Sequence, residues 1–477
     1  MTNRLSTRAA LVLGGRGLIA SALLLGAGSQ ARGSDGVNDI QFATSQWEAS
    51  PQAVGTADPV SLASCDSQPC RCCCCPDPPG YGYCIHTELG DHLAQSLTSA
   101  TEAMAAHGVT YLGQATQFYQ GVASGGAEQT FDYGGKIDQF LILDSTKLGL
   151  WEGTTMTMHA ETRFGEDVNF DAVGLAPVNG AMLYPQEGEH STAITGLSLA
   201  QNLTEDLQAT AGKFNGFDLF YSLYPQTGRG VNGFMNVSMI IPVSVARTVP
   251  LSFMGAGAMK MNGTQPQAGL IVFDNQSVAT TSGFDDMFNN GANIMGFVRF
   301  FTDVADLPGS HFFSGIWSTG EYTSLDRTDF VFVPGQGIQS TPVGGAYTLL
   351  YIYEKALWMD GCNPKRNISV LSMWGLADQQ TSPVGWSANV ALQASGFRDS
   401  RPHDAVGIGY FHTGLSNDFV NLLSPVLDLR DVDGVELYYS AAISQSFQLT
   451  GDLQVIEPAI ADNDTAVVVG LRGTVGF

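Results

Sequence analysis

Over 477 residues, only 14% are charged, too few to coat a soluble globule of this size, since ordinary soluble proteins carry roughly 25%. Acidic residues outnumber basic ones by 45 to 21, which excludes nucleic acid as a partner. Beyond the N-terminus no run reaches the ~18 apolar residues of a membrane helix, so a chain that spans a bilayer must close its backbone as a barrel.

Residues 1–31 are expected to be a cleaved signal peptide: Arg4, Arg8 and Arg16 precede the apolar run Gly17-Leu-Ile-Ala-Ser-Ala-Leu-Leu-Leu-Gly-Ala, and small residues follow at Ser29 and Ala31. Gly15-Arg-Gly17-Leu-Ile-Ala20 imitates a dinucleotide-binding turn, but no βαβ unit surrounds it. Losing this segment leaves a mature charge of (21 − 3) − 45 = −27. That excess suits either solubilising loops or an acidic pore mouth that favours cations and neutral solutes.

Residues 32–86 read as a linker. Its first part, to residue 64, is polar and aperiodic, and is expected to be disordered. Then Cys65, Cys70, Cys72, Cys73, Cys74, Cys75 and Cys84 crowd one Pro-rich segment, with Cys362 far away. In an exported chain disulfide cross-linking is the default, with Cys362 or another molecule taking the odd thiol. A metal site is the alternative, although the spacing lacks two separated Cys-x-x-Cys pairs.

Residues 87–108 carry a helical period. Leu93, Leu97, Ala100 and Met104 share one face and Gly108 sits where a C-cap would, so an amphipathic helix is expected in the barrel mouth or on its rim.

From 109 to 477 the period becomes two. Strands are expected near 136–143, 154–164, 206–214, 234–241, 251–260, 293–302, 311–319, 346–354, 367–376, 385–397, 405–414, 435–445 and 448–456, with weaker ones near 109–119, 191–203, 216–224 and 268–275. The last strand runs from Thr465 and ends on the aromatic Phe477. The fold class is all-β: a transmembrane antiparallel up-and-down barrel of about 16 strands, with the short N-terminal helix in front.

Energy decides which face is the lumen. Arg or Lys against lipid at mid-bilayer costs about 2–4 kcal/mol, so Arg472 should point inward, as should Glu161 and Arg163 with His159 beside them. The same register puts Asp452 and Gln454 inside, with Leu449, Leu453 and Val455 outside. Such carboxylates and guanidinium groups can bond sugar hydroxyls, or can brace the wall as structural ion pairs. Catalysis finds no support: there is no Gly-x-Ser-x-Gly elbow, no His-Glu-x-x-His and no P-loop, and Asp285-Asp286 reads as a turn.

Several stretches together carry a family likeness. Tyr133-Gly-Gly-Lys-Ile-Asp138 is followed by Lys147-Leu-Gly-Leu-Trp151-Glu-Gly153 and His159-Ala-Glu-Thr-Arg-Phe-Gly165. Later come Ser395-Gly-Phe-Arg-Asp-Ser-Arg401-Pro-His-Asp404, Val435-Glu436-Leu-Tyr-Tyr439 and Asp452-Leu-Gln-Val-Ile456-Glu-Pro458. In this order they resemble the carbohydrate-selective porins of the OprB type, from roughly Gly90 to Phe477. The resemblance implies diffusion of small carbohydrates through a constricted outer-membrane pore without cofactor or metal. It also implies contact with outer-membrane lipid and with assembly machinery that reads a terminal aromatic residue, and leaves the oligomeric state open. The resemblance is compatible with Glu161 and Arg163 facing the lumen; Glu436, within a quoted stretch, joins the pore-lining candidates, and the cysteine-rich extension departs from the family pattern. An envelope anchor that displays the cysteine segment and a secreted soluble β-protein are the alternatives.

Overall fold

The computed structural model describes residues 101–172, 174–186, 190–223, 228–335, 337–361, 363–444 and 446–476. Among them the chain forms β1 (Val109–Ser124), β2 (Phe131–Asp144), β3 (Thr154–Gly165), β4 (His190–Asn202), β5 (Leu207–Asn215), β6 (Ser252–Asn262), β7 (Gln265–Asp274), β8 (Ala292–Val304) and β9 (Leu307–Thr323). A separate hairpin, β10 (Phe330–Val333) with β11 (Gly337–Ser340), interrupts the series. It resumes with β12 (Pro342–Met359), β13 (Asn367–Ala377), β14 (Val384–Ser395), β15 (Ala405–Leu415), β16 (Val432–Ala442), β17 (Phe447–Glu457) and β18 (Ala466–Gly476).

Sixteen of these strands pair antiparallel with their neighbours, and β1 closes the barrel against β18 in a register that sets Gln114 opposite Gly476. Closure leaves no strand edge for lipid to meet. Two-residue turns such as 263–264 and 305–306 mark one end, long connections such as 166–189, 216–251 and 416–431 the other. In outer-membrane barrels these are the periplasmic and the outer ends.

Period two is visible in the burial. On β18, Ala466, Val468, Arg472 and Thr474 are buried inward while Leu471 and Val475 face out. The outer surface of β17 is Leu449, Leu453 and Val455, as the register requires. Among the described residues no helix is long and apolar enough to cross a membrane.

Two expected strands are not in the wall. Residues 216–224 and 234–241 belong instead to the 36-residue connection between β5 and β6, which folds into the barrel. Gly216–Leu223 is a helix that buries Phe217, Phe220 and Leu223, and Val237–Ile240 is a single helical turn buried on all sides. A short apolar run inside a lumen has no polar face, so period alone cannot separate strand from buried turn. Of the segment expected to form the N-terminal helix, residues 101–106 are helical. Residues 107–108 form a turn, with Gly108 at φ +89°, while residues 87–100, the signal peptide, the linker, the eight cysteines and Phe477 lie outside the described residues.

Candidate functional site in the barrel interior

The inner faces of β2 and β3 and the connection entering the barrel after β5 build one charged cluster. Lys136, Asp138, His159 and Glu161 alternate with outward residues, so period two alone brings all four side chains inside. The ammonium of Lys136 lies 3.0 Å from Asp138 Oδ1 and also pairs with Glu161. His159 Nε2 is 3.1 Å from Asp138 Oδ1, and its Nδ1 is 2.7 Å from Asp218 Oδ2 on the inserted helix. Each ring nitrogen thus faces a carboxylate oxygen within hydrogen-bond distance. Phe140 stacks on that ring at 3.8 Å between centroids.

Asn215, at the end of β5, ties cluster and inserted segment together. Its amide donates to Glu161 Oε2 at 2.9 Å and to Thr195 Oγ1 at 3.1 Å, while its carbonyl accepts from the backbone N–H of Phe217 at 3.0 Å and from the hydroxyl of Tyr184. Burial in the folded-in 166–189 connection pushes the Tyr184 phenol well above its ordinary range, so it serves as a neutral donor. Arg163, one step further along β3, is buried against Asp167.

Asp138, His159 and Glu161 bring ligand atoms within 4.8 Å of one another, a spacing a metal ion could use. Lys136 already puts a positive charge between the two carboxylates, so an added cation would meet like charge there. The space left beside the cluster is about 10 Å³ and is lined by Asp138, Asn215 and Asp218 among others, which is room for about one water. Asp138 Oδ2 has no hydrogen-bond partner among the described residues, so it can accept from whatever enters that space.

The remaining candidates form a second group, on the far wall and under the inserted segment. Arg472 is 1% exposed and donates to the carbonyls of Gly230, at 2.6 Å, and Gly233, at 3.0 Å. Glu436 accepts from the backbone N–H of Met235 and, at 3.0 Å, of Asn236. Asp452 accepts from Gln454, whose carbonyl in turn accepts from Asn236 at 3.0 Å. These three candidates therefore touch protein backbone or each other's neighbours in place of an open passage, because the connection between β5 and β6, part of which was expected in the wall, lies over them inside the barrel. Around the rest of the circumference Asn389 donates to Ser238 O at 2.6 Å, Asn293 to Thr248 O at 2.7 Å, and Gln393 accepts from Gly228 N at 2.6 Å.

Sequence reasoning missed Lys136, Asp138, Asn215 and Asp218. Lys136 and Asp138 stand two apart in a quoted motif, the same signal that singled out Glu161 and Arg163. Asp218 carried no such signal, since its helix was assigned to the wall.

A model of the family described as carbohydrate-selective porin, OprB, matches residues 128–477. Comparison with curated proteins finds no match in sequence. Among solved structures, the high-pH structure of Pseudomonas putida OprB is 19% identical with a TM-score of 0.67, covering 80% of this chain and 97% of that one. The low-pH structure of the same protein is 14% identical with a TM-score of 0.48, covering 80% and 97%. Salmonella typhi OmpF in complex with daunomycin is 10% identical with a TM-score of 0.44, covering 78% and 99%. By the family match over most of its length, the chain belongs to the OprB family of carbohydrate-selective porins, channels of the Gram-negative outer membrane.

Proposed function

We propose that small carbohydrates cross this barrel by passive diffusion past the cluster of Lys136, Asp138, His159, Glu161 and Asp218, and that the chain is a channel and not a catalyst. The observation that carries the reading is the placement of this mixed-charge group on the inner wall where an inserted segment narrows the lumen. Carboxylates accept from sugar hydroxyls and the ammonium donates to them, so such a narrowing can replace part of a sugar's hydration shell as it passes. The exposed band of Leu197, Leu270, Phe300, Trp317 and Leu471 suits contact with outer-membrane lipid. Recognition of the closing strand by assembly machinery belongs to the same reading. Proteoliposome swelling tests it: monosaccharides should enter faster than into protein-free vesicles, and equal rates would refute transport.

A second reading draws on the tight seat of the inserted segment, which leaves only about 10 Å³ beside the cluster. A barrel sealed in this way would serve as an envelope anchor, and would give no conductance steps in planar bilayers.

A further inference from the structure

On the short-turn side of the Gly216–Leu223 helix the interior opens into a cavity of about 280 Å³, close to the ~300 Å³ lower bound of small-molecule sites. Its two sides differ in chemistry. One is polar: Thr155 and Thr157 continue down β3 from His159 on the same inward face, and Gln208 on β5 stands near them. The other is apolar: Leu219 and Leu223 of the helix face Met259, Met295, Phe297 and Phe312 on β6, β8 and β9. Phe297 and Phe312 stack with centroids 5.4 Å apart.

An unsubstituted sugar leaves most of such a wall wet. A solute with an apolar group at one end and hydroxyls at the other removes the apolar wall from water while its hydroxyls bond the threonines. We propose that this cavity is a binding vestibule for hydroxylated solutes that carry a compact apolar group, with aryl glycosides as the chemical class. The inference rests on the carbohydrate-permeation reading and extends it, because it gives the channel a second recognition element on the periplasmic side of the charged cluster. A solute leaving the cluster passes Thr157, then Thr155, with its aryl end turned toward Met259 and Met295.

Current blockade in planar bilayers tests the proposal, using phenyl β-glucoside and glucose as probes on the full-length protein. Phenyl β-glucoside should block with an apparent affinity of order tenfold, and at least threefold, above that of glucose, tenfold being about 1.4 kcal/mol. Met259→Gln and Met295→Gln nearly keep side-chain shape but make the wall polar, so each should bring the affinity ratio toward one. If either variant fails to assemble, the other carries the comparison. The wild-type protein adds an independent measure: phenyl β-glucoside added on the short-turn side should block at lower concentration than from the long-loop side. A wild-type ratio below threefold, a ratio unmoved by the substitutions, or block indifferent to side would overturn the vestibule. Failure of both glucose and phenyl β-glucoside to enter vesicles or modulate current would overturn carbohydrate permeation itself, a distinguishable result.

Discussion

Arg472 shows how far a single residue can be placed from energetics. The cost of facing lipid sends it inward, and it is inward; what it meets there is the pair of carbonyls at Gly230 and Gly233. Arg472→Glu would set a buried carboxylate against two carbonyl oxygens and near Asp452 and Glu436. Breaking a buried charged contact costs about 3–5 kcal/mol, so the inserted segment should loosen, raising single-channel conductance and lowering the unfolding temperature. Arg472→Lys keeps the charge but not the two-pronged geometry, and should fall between. Lys136 makes the complementary case. Lys136→Gln removes the ammonium that Asp138 and Glu161 share and leaves the cluster one positive charge poorer, so the cation-over-anion permeability ratio, read from the reversal potential in a salt gradient, should rise several-fold. An unchanged ratio would place the conducting path elsewhere. The direction of each side chain was legible at this scale because strand period and lipid cost both fix it. Its partners were not, because Arg472 and Gly230 are far apart in sequence and nothing local joins them.

Among the elements, the strands were readable and the inserted segment was not. A wall strand has one face against lipid and one toward the interior, and β3 displays both in Met156, Met158 and Phe164 against His159, Glu161 and Arg163. The segment between β5 and β6 sits inside the barrel, where Val237, Met239, Ile240 and Val243 are all buried and no alternation survives. Its seat is cut into the wall. Gly407 on β15 faces Phe234 and Tyr438, and a Cβ there would come within 2.8 Å of the Phe234 ring and 2.4 Å of the Tyr438 ring. Those rings cross edge to face at 4.9 Å and cannot both yield cheaply. Gly407→Val should therefore displace the segment near Phe234 at a cost of about 1–3 kcal/mol, the usual range for an overpacked core. Limited proteolysis checks this: cleavage between residues 228 and 250 should become faster than in the parent barrel, and an unchanged pattern would show that the wall relaxes instead.

For the whole molecule, fold and family were legible because sixteen strands repeat one signal and the quoted stretches fall in order along them. The charge excess gains a location as well. Among the long loops, partial burial together with Asp326, Asp378 and Asp329 holds the Asp418 carboxyl above its ordinary range, whereas the Thr328 N–H and hydroxyl hold Asp326 below it. As pH falls, Asp418 therefore takes up its proton before Asp326. Cation selectivity should start to decline above the ordinary aspartate range, and Asp418→Asn should remove that first step from a reversal-potential titration. A final consequence is one of parity. An even number of strands returns the chain to the side it left, so residues 101–106 lead into β1 from the face on which β18 ends. The connection from Met359 to Asn367, which spans position 362, opens on that same face. Both openings are therefore on the short-turn face, the periplasmic end of such a barrel. In reduced intact cells a membrane-impermeant maleimide should label this protein only after the outer membrane is breached; labelling of unbroken cells would overturn the assignment of the short turns to the periplasmic end.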